Sequence, residues 1–105
     1  MFSVQRQHAA QAWHAIGELP VRQRQALLLH LTDEAWSVFL MAGAASLRAL
    51  AAALEFDVAT VAEVWKLLPL ADNAIAERLK CTRQQVINLR MAARKRLNNR
   101  LRRPS

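Results

Sequence analysis

Arg83, Gln84, Gln85 and Asn88 stand close together near the end of the chain, and all are side chains that can read base edges. A guanidinium matches the two major-groove acceptors of guanine, and a carboxamide matches the acceptor and donor of adenine. Around them lie Lys80, Thr82, Arg90, Arg94 and Lys95, whose ammonium, hydroxyl and guanidinium groups suit phosphate oxygens. Arg96, Arg100, Arg102 and Arg103 extend the cationic run. Chemistry of other kinds has little to work with. His8, His14 and His30 are scattered, without Asp, Glu or Cys at metal-ligand spacing. No glycine loop could cradle a phosphate, and Cys81 is the one cysteine, with no base nearby in sequence. The sequence therefore predicts no enzyme, no catalytic residue, no metal and no cofactor.

The elements that must position these groups span residues 72–101. Ile75, Ala76 and Leu79 form an apolar stripe at helical spacing, with Asp72 placed to cap it. Lys80-Cys81-Thr82 makes a short turn, in which Cys81 suits a small buried site. Thr82 then caps the next helix, and Gln85, three residues on, completes a T-x-x-Q capping box. Val86, Leu89, Ala93 and Leu97 are the inward seam of that helix. At 100° per residue Gln84, Asn88, Met91 and Lys95 face the other way. Two short helices around a tight turn, the second carrying base-reading groups, are the layout of a helix-turn-helix whose second helix enters the major groove.

Charge separates the chain into unlike parts. The net charge is +7, yet up to Trp65 there are only Arg6, Arg22, Arg24 and Arg48 against six acidic residues. From Lys66 onward eleven Lys and Arg face Asp72 and Glu77 alone. A basic part beside a mildly acidic one implies a polyanion partner for the C-terminal part only. An apolar content of 53% is enough for a core, and two Gly with abundant Ala and Leu point to helices. The expected fold is all-α, a small bundle of five to seven helices. No apolar stretch follows Met1 to His8 as a secretory signal would, and Ser37, Gly43, Ser46 and Arg48 interrupt the apolar segment 36–54. A cytoplasmic location and no membrane are expected, with 36–54 available as a homodimer face.

Upstream, residues 2–16 read as a helix stopped at Gly17. Pro20 opens a second over 21–31, and Thr32 or Asp33 caps a third over 34–42, ended by Gly43. The stretch 46–68 then repeats a pattern. Leu50-Ala51-x-x-Leu54 followed by Val61 matches Ile75-Ala76-x-x-Leu79 followed by Val86, with an offset of 25. Asp57 takes the place of Thr82, and Val64 and Leu68 those of Leu89 and Ala93. This predicts a degenerate tandem helix-turn-helix. Ala59, Thr60, Ala62 and Glu63, near Glu55 and Asp57, make the first copy a poor reader of DNA. Residues 1–68 are thus a helical scaffold or interaction half, and 69–105 a basic DNA-binding half. Pro69 separates them, and Pro104 blocks further helix.

Ile75-Ala76-Glu77-Arg78-Leu79, Thr82-Arg83-Gln84-Gln85-Val86 and Ala93-Arg94-Lys95-Arg96-Leu97 together resemble region 4, the C-terminal DNA-binding part of bacterial sigma-70-type factors. Leu19-Pro20-x-Arg22-x-Arg24-x-x-Leu27-Leu28-Leu29 is similar to the helix that precedes that motif in the family. The resemblance covers less than half of the chain. It implies contact with double-stranded DNA at the −35 promoter element and with the β flap of RNA polymerase, with Arg83, Gln84, Gln85 and Asn88 at the base-reading positions. There are departures. Lys80 stands where the family usually has glycine, and a left-handed turn there costs about 1 kcal/mol. Ile87 replaces a commonly polar position. Segment 32–68 separates the two family pieces, and no counterpart of the promoter-melting domain is present. The expected function is therefore a sequence-specific transcription module that reads promoter-like duplex through the helix 83–97. It would be a fragment of a longer factor or a stand-alone regulator, not a full initiator. The alternative is an adaptor or sigma-like decoy that binds RNA polymerase or an anti-sigma factor.

Overall fold

The computed structural model describes residues 8–102. Among these described residues seven helices follow one another: α1 (Ala9–Gly17), α2 (Val21–His30), α3 (Asp33–Met41), α4 (Leu47–Leu54), α5 (Val58–Trp65), α6 (Asp72–Leu79) and α7 (Arg83–Arg102). The fold is all-α, with no strand among the described residues. The helix expected over 2–16 is seen from Ala9 onward, and residues 2–7 lie outside the described part.

Local side chains set most of the starts. Thr32 Oγ1 accepts from Ala35 N at 3.1 Å, Ser46 Oγ from Ala49 N at 3.1 Å, and Asp57 Oδ1 from Thr60 N at 2.7 Å. Each satisfies one of the amides that a first helical turn leaves open. Because Thr32 is the cap, α3 begins at Asp33, one residue before the expected 34. Gly43 (φ 73°) ends that segment, and its left-handed backbone lets Ala44 N return to Phe39 O at 2.9 Å. Helix α5 stops three residues short of the expected 68. Leu67 N and Leu68 N bond three residues back, to Val64 O and Trp65 O, and tighten the chain before the cis Leu68–Pro69 bond.

Helix α2 is the centre of the packing. Gln25, Ala26, Leu27, Leu28 and Leu29 are all buried, so the second half of the helix is covered on every side. It packs on α4, α6 and α7, while α1 packs on α3 and α7. Ile16, Trp36, Phe39, Leu50, Leu54, Val61, Val64, Ile75 and Leu97 complete one core drawn from both ends of the chain. Each such side chain removed from water contributes about 1.5–3 kcal/mol. Trp36 stacks edge-on against Trp65 at 5.5 Å, and its indole N–H donates to Leu28 O at 2.9 Å. Trp36, Phe39, Leu50 and Leu54 thus place the apolar surplus of segment 36–54 inside the chain's own core, leaving Met41 exposed.

The polar groups of α2 hold the ends of neighbouring helices. Arg24 Nε donates to Ala53 O at 2.6 Å, and Gln25 Nε2 donates to Leu54 O at 2.7 Å, at the end of α4. Arg22 donates to Leu79 O at 2.9 Å, at the end of α6. Carbonyls that a helix C-terminus leaves without partners are thereby satisfied, two of the three by cations, which the helix dipole favours.

Candidate nucleic-acid interface

The turn between α6 and α7 builds the site. Lys80 takes the left-handed conformation (φ 55°, ψ 50°), which aims Cys81 N back at Ala76 O, 3.0 Å away. Cys81 is half-buried and packs against the core. Thr82 Oγ1 accepts from Gln85 N at 3.1 Å, while Gln85 Oε1 accepts from Thr82 N at 2.8 Å. Both halves of the expected capping box are formed. The expected cap of α6 is not. Ala71 occupies that position without a side-chain bond, and Asp72, one residue inside the helix, forms an ion pair with Arg90 of α7. A carboxylate in the first turn still faces the favourable end of the helix dipole.

Helix α7 buries Val86, Ala93 and Leu97 and half-buries Leu89, so the expected seam points inward. Arg83, Gln84, Gln85 and Asn88 are all exposed. Gln84 Nε2 donates to Asn88 Oδ1 at 3.0 Å, joining two amides in one row along the outward face. Gln85 lies on the flank, its carbonyl engaged in the capping box. With Arg22, Asn88, Leu89 and Ala92 it lines a shallow cleft of about 290 Å³. Arg83 lies on the opposite flank. Met91, 62% exposed, continues the outward face beyond Asn88.

The groups suited to phosphates also divide. Lys80, Thr82 and Lys95 are exposed, and Arg94 is half-exposed. Arg90 has only 14% of its side chain accessible and is bound to Asp72, so it braces α7 against α6 rather than standing free for a phosphate. Arg100 pairs with Glu18 of the α1–α2 connection at 2.6 Å. Among the described residues Arg83, Arg94, Lys95 and Arg96 have no such acidic partner. Sequence spacing did not indicate Arg22 or the Asp72–Arg90 pair, because both join residues far apart in the chain.

The first hairpin repeats the turn in detail. Glu55 is left-handed (φ 58°, ψ 38°), as Lys80 is, 25 positions earlier. Phe56 N bonds Ala51 O at 3.0 Å, as Cys81 N bonds Ala76 O. Asp57 caps α5 as Thr82 caps α7. Hydrogen bonds from the Thr60 side chain and backbone N–H hold the Asp57 carboxyl below its ordinary 3.8. The outward face differs: Val58, Ala59, Ala62 and Glu63 are exposed where α7 offers Arg83, Gln84, Ile87 and Asn88.

Among the described residues no three His, Cys, Asp or Glu side chains come together as metal ligands, and no helix is long and apolar enough to cross a membrane. The chain matches no known family model, no curated protein and no solved structure.

Proposed function

We propose that this chain is a sequence-specific duplex-DNA-binding transcription module of the sigma region 4 kind, with α7 lying in the major groove. The observation that carries the reading is the outward face of α7. The bonded amides of Gln84 and Asn88 stand in solvent near its start, and Arg94, Lys95 and Arg96, with no acidic partner among the described residues, follow them. A helix of this kind fits a groove about 12 Å wide, with the amides at base edges and the cations at phosphates. On this reading Arg83 meets a guanine, and Lys80, Thr82, Arg94 and Lys95 meet the backbone. Arg90 acts indirectly, by fixing α7 on α6.

Titration of labelled promoter-like duplexes at several salt concentrations tests this. Arg83→Ala is expected to lose about 1–3 kcal/mol on the preferred sequence and to relax one base position. Lys95→Ala is expected to weaken all sequences alike and to reduce the log–log salt slope by about one. Unchanged binding in both variants would remove α7 from the account. The second reading, an adaptor or decoy for RNA polymerase or an anti-sigma factor, draws on the exposed Glu55, Asp57 and Glu63 of the first hairpin. It gains if the wild type ignores duplex DNA yet co-purifies with polymerase.

A further inference from the structure

Base edges in the major groove offer one apolar feature, the 5-methyl group of thymine. Helix α7 has an apolar row beside its amide row. Ile87 and Met91 are one turn apart, and Met91 has 62% of its surface in water. Isolated exposed apolar side chains are ordinary on protein surfaces. Met91 is not isolated in that sense, because its neighbours on the helix face are groups suited to DNA. Asn88 precedes it by three residues, Lys95 follows by four, and Ile87 adjoins it. A flexible thioether there adds nothing to the core, whose seam lies on the other side of the helix. The bonded Gln84–Asn88 pair still presents free donor and acceptor capacity, the pattern that complements adenine. Along the helix axis Met91 lies about 10 Å beyond Gln84, close to three base steps.

We infer that Met91 is a specificity-determining residue that packs on a pyrimidine 5-methyl group, one to three base pairs from the position met by the Gln84–Asn88 pair. This rests on the DNA-binding reading above. The side chain loses water and the methyl gains a contact only when a thymine stands at that place. Uracil has the same hydrogen-bonding edge without the methyl, so it isolates this contact from every other one.

The probe is a 20-base-pair duplex selected by the protein itself from a randomised pool, then resynthesised with deoxyuridine replacing each thymidine in turn. At one or two positions the wild type should bind about fourfold more weakly, the size expected for one buried methyl. Met91→Ala should bind the thymidine and deoxyuridine duplexes equally, with an unchanged helical circular-dichroism spectrum. Selective binding without any deoxyuridine effect would overturn the Met91 assignment and leave DNA binding standing. A deoxyuridine effect that persists in Met91→Ala would also overturn it, because another residue would then hold the methyl. If no sequence is enriched and no duplex is bound, the DNA-binding reading itself fails and the assignment falls with it.

Discussion

The hairpin α4–α5 and the hairpin α6–α7 share a backbone device and differ in what they present. Both first helices end on a left-handed residue, Glu55 or Lys80, and both second helices start from a side-chain cap, Asp57 or Thr82. Both keep a small alanine, Ala51 or Ala76, where the helices close on each other. Helix α2 serves both, with Gln25 at Leu54 O and Arg22 at Leu79 O, equivalent carbonyls 25 residues apart. Yet α5 has 8 residues and exposes alanine and glutamate, while α7 has 20 and exposes amides and cations. The turn and seam therefore specify a shape, and the chemistry resides in a few outward positions that the shape leaves free.

The largest effect expected from this pairing is in the core. Leu54→Ala and Leu79→Ala remove equivalent buried side chains, and each should destabilise the whole chain by about 2–5 kcal/mol in urea melts. Amide-exchange protection lost in one hairpin only would show that the two are separate units. Next come the turns. Glu55→Gly and Lys80→Gly should each stabilise by up to about 0.6 kcal/mol, the relief of about 1 kcal/mol of left-handed strain less the added freedom of glycine in the unfolded chain. A rise in Tm for one and not the other would mean that the matching angles do not carry matching strain.

The smallest effect separates the caps. Asp57 has a folded pKa below its ordinary 3.8, so its cap contributes above that value and is lost as pH falls through the lowered one. Thr82 has no charge to lose. Asp57→Thr should therefore flatten the fall in Tm as pH drops below 3.8, while Thr82→Ala should lower Tm throughout and keep the acid dependence. An unchanged acid limb in Asp57→Thr would assign that limb to other carboxylates.

Much of this architecture could be read from the chain. The period of Val86, Leu89, Ala93 and Leu97 located the seam, Thr82 and Gln85 declared their capping box, and the repeated Leu/Ile-Ala-x-x-Leu pattern pointed to matching hairpins. These are local signals, carried by residues within a few turns of each other. The roles of Arg90, Asp72 and Arg22 were hidden for the opposite reason. A guanidinium reads equally well as a phosphate ligand or as a brace until the partner, 18 or 57 residues away, is in place. The end of α5 came three residues early where a turn at Leu67 and Leu68 took over from the helical pattern, and α7 runs on to Arg102, past the expected 97. The division of Arg83, Gln84, Gln85 and Asn88 between a row and two flanks, by contrast, follows from the 100° spacing alone.

Helix α7 holds Arg83, Arg90, Arg94, Lys95, Arg96, Arg100 and Arg102 and no carboxylate. Arg90 and Arg94, and again Arg96 and Arg100, are neighbours of like sign one turn apart, an arrangement that works against an isolated helix. What keeps the coil wound is the grip of its greasy edge, with Asp72 and Glu18 as two small counterweights. In dilute salt the repulsion between these neighbours is least screened. Added ions would screen that repulsion, and a polyanion laid alongside would offset it more completely.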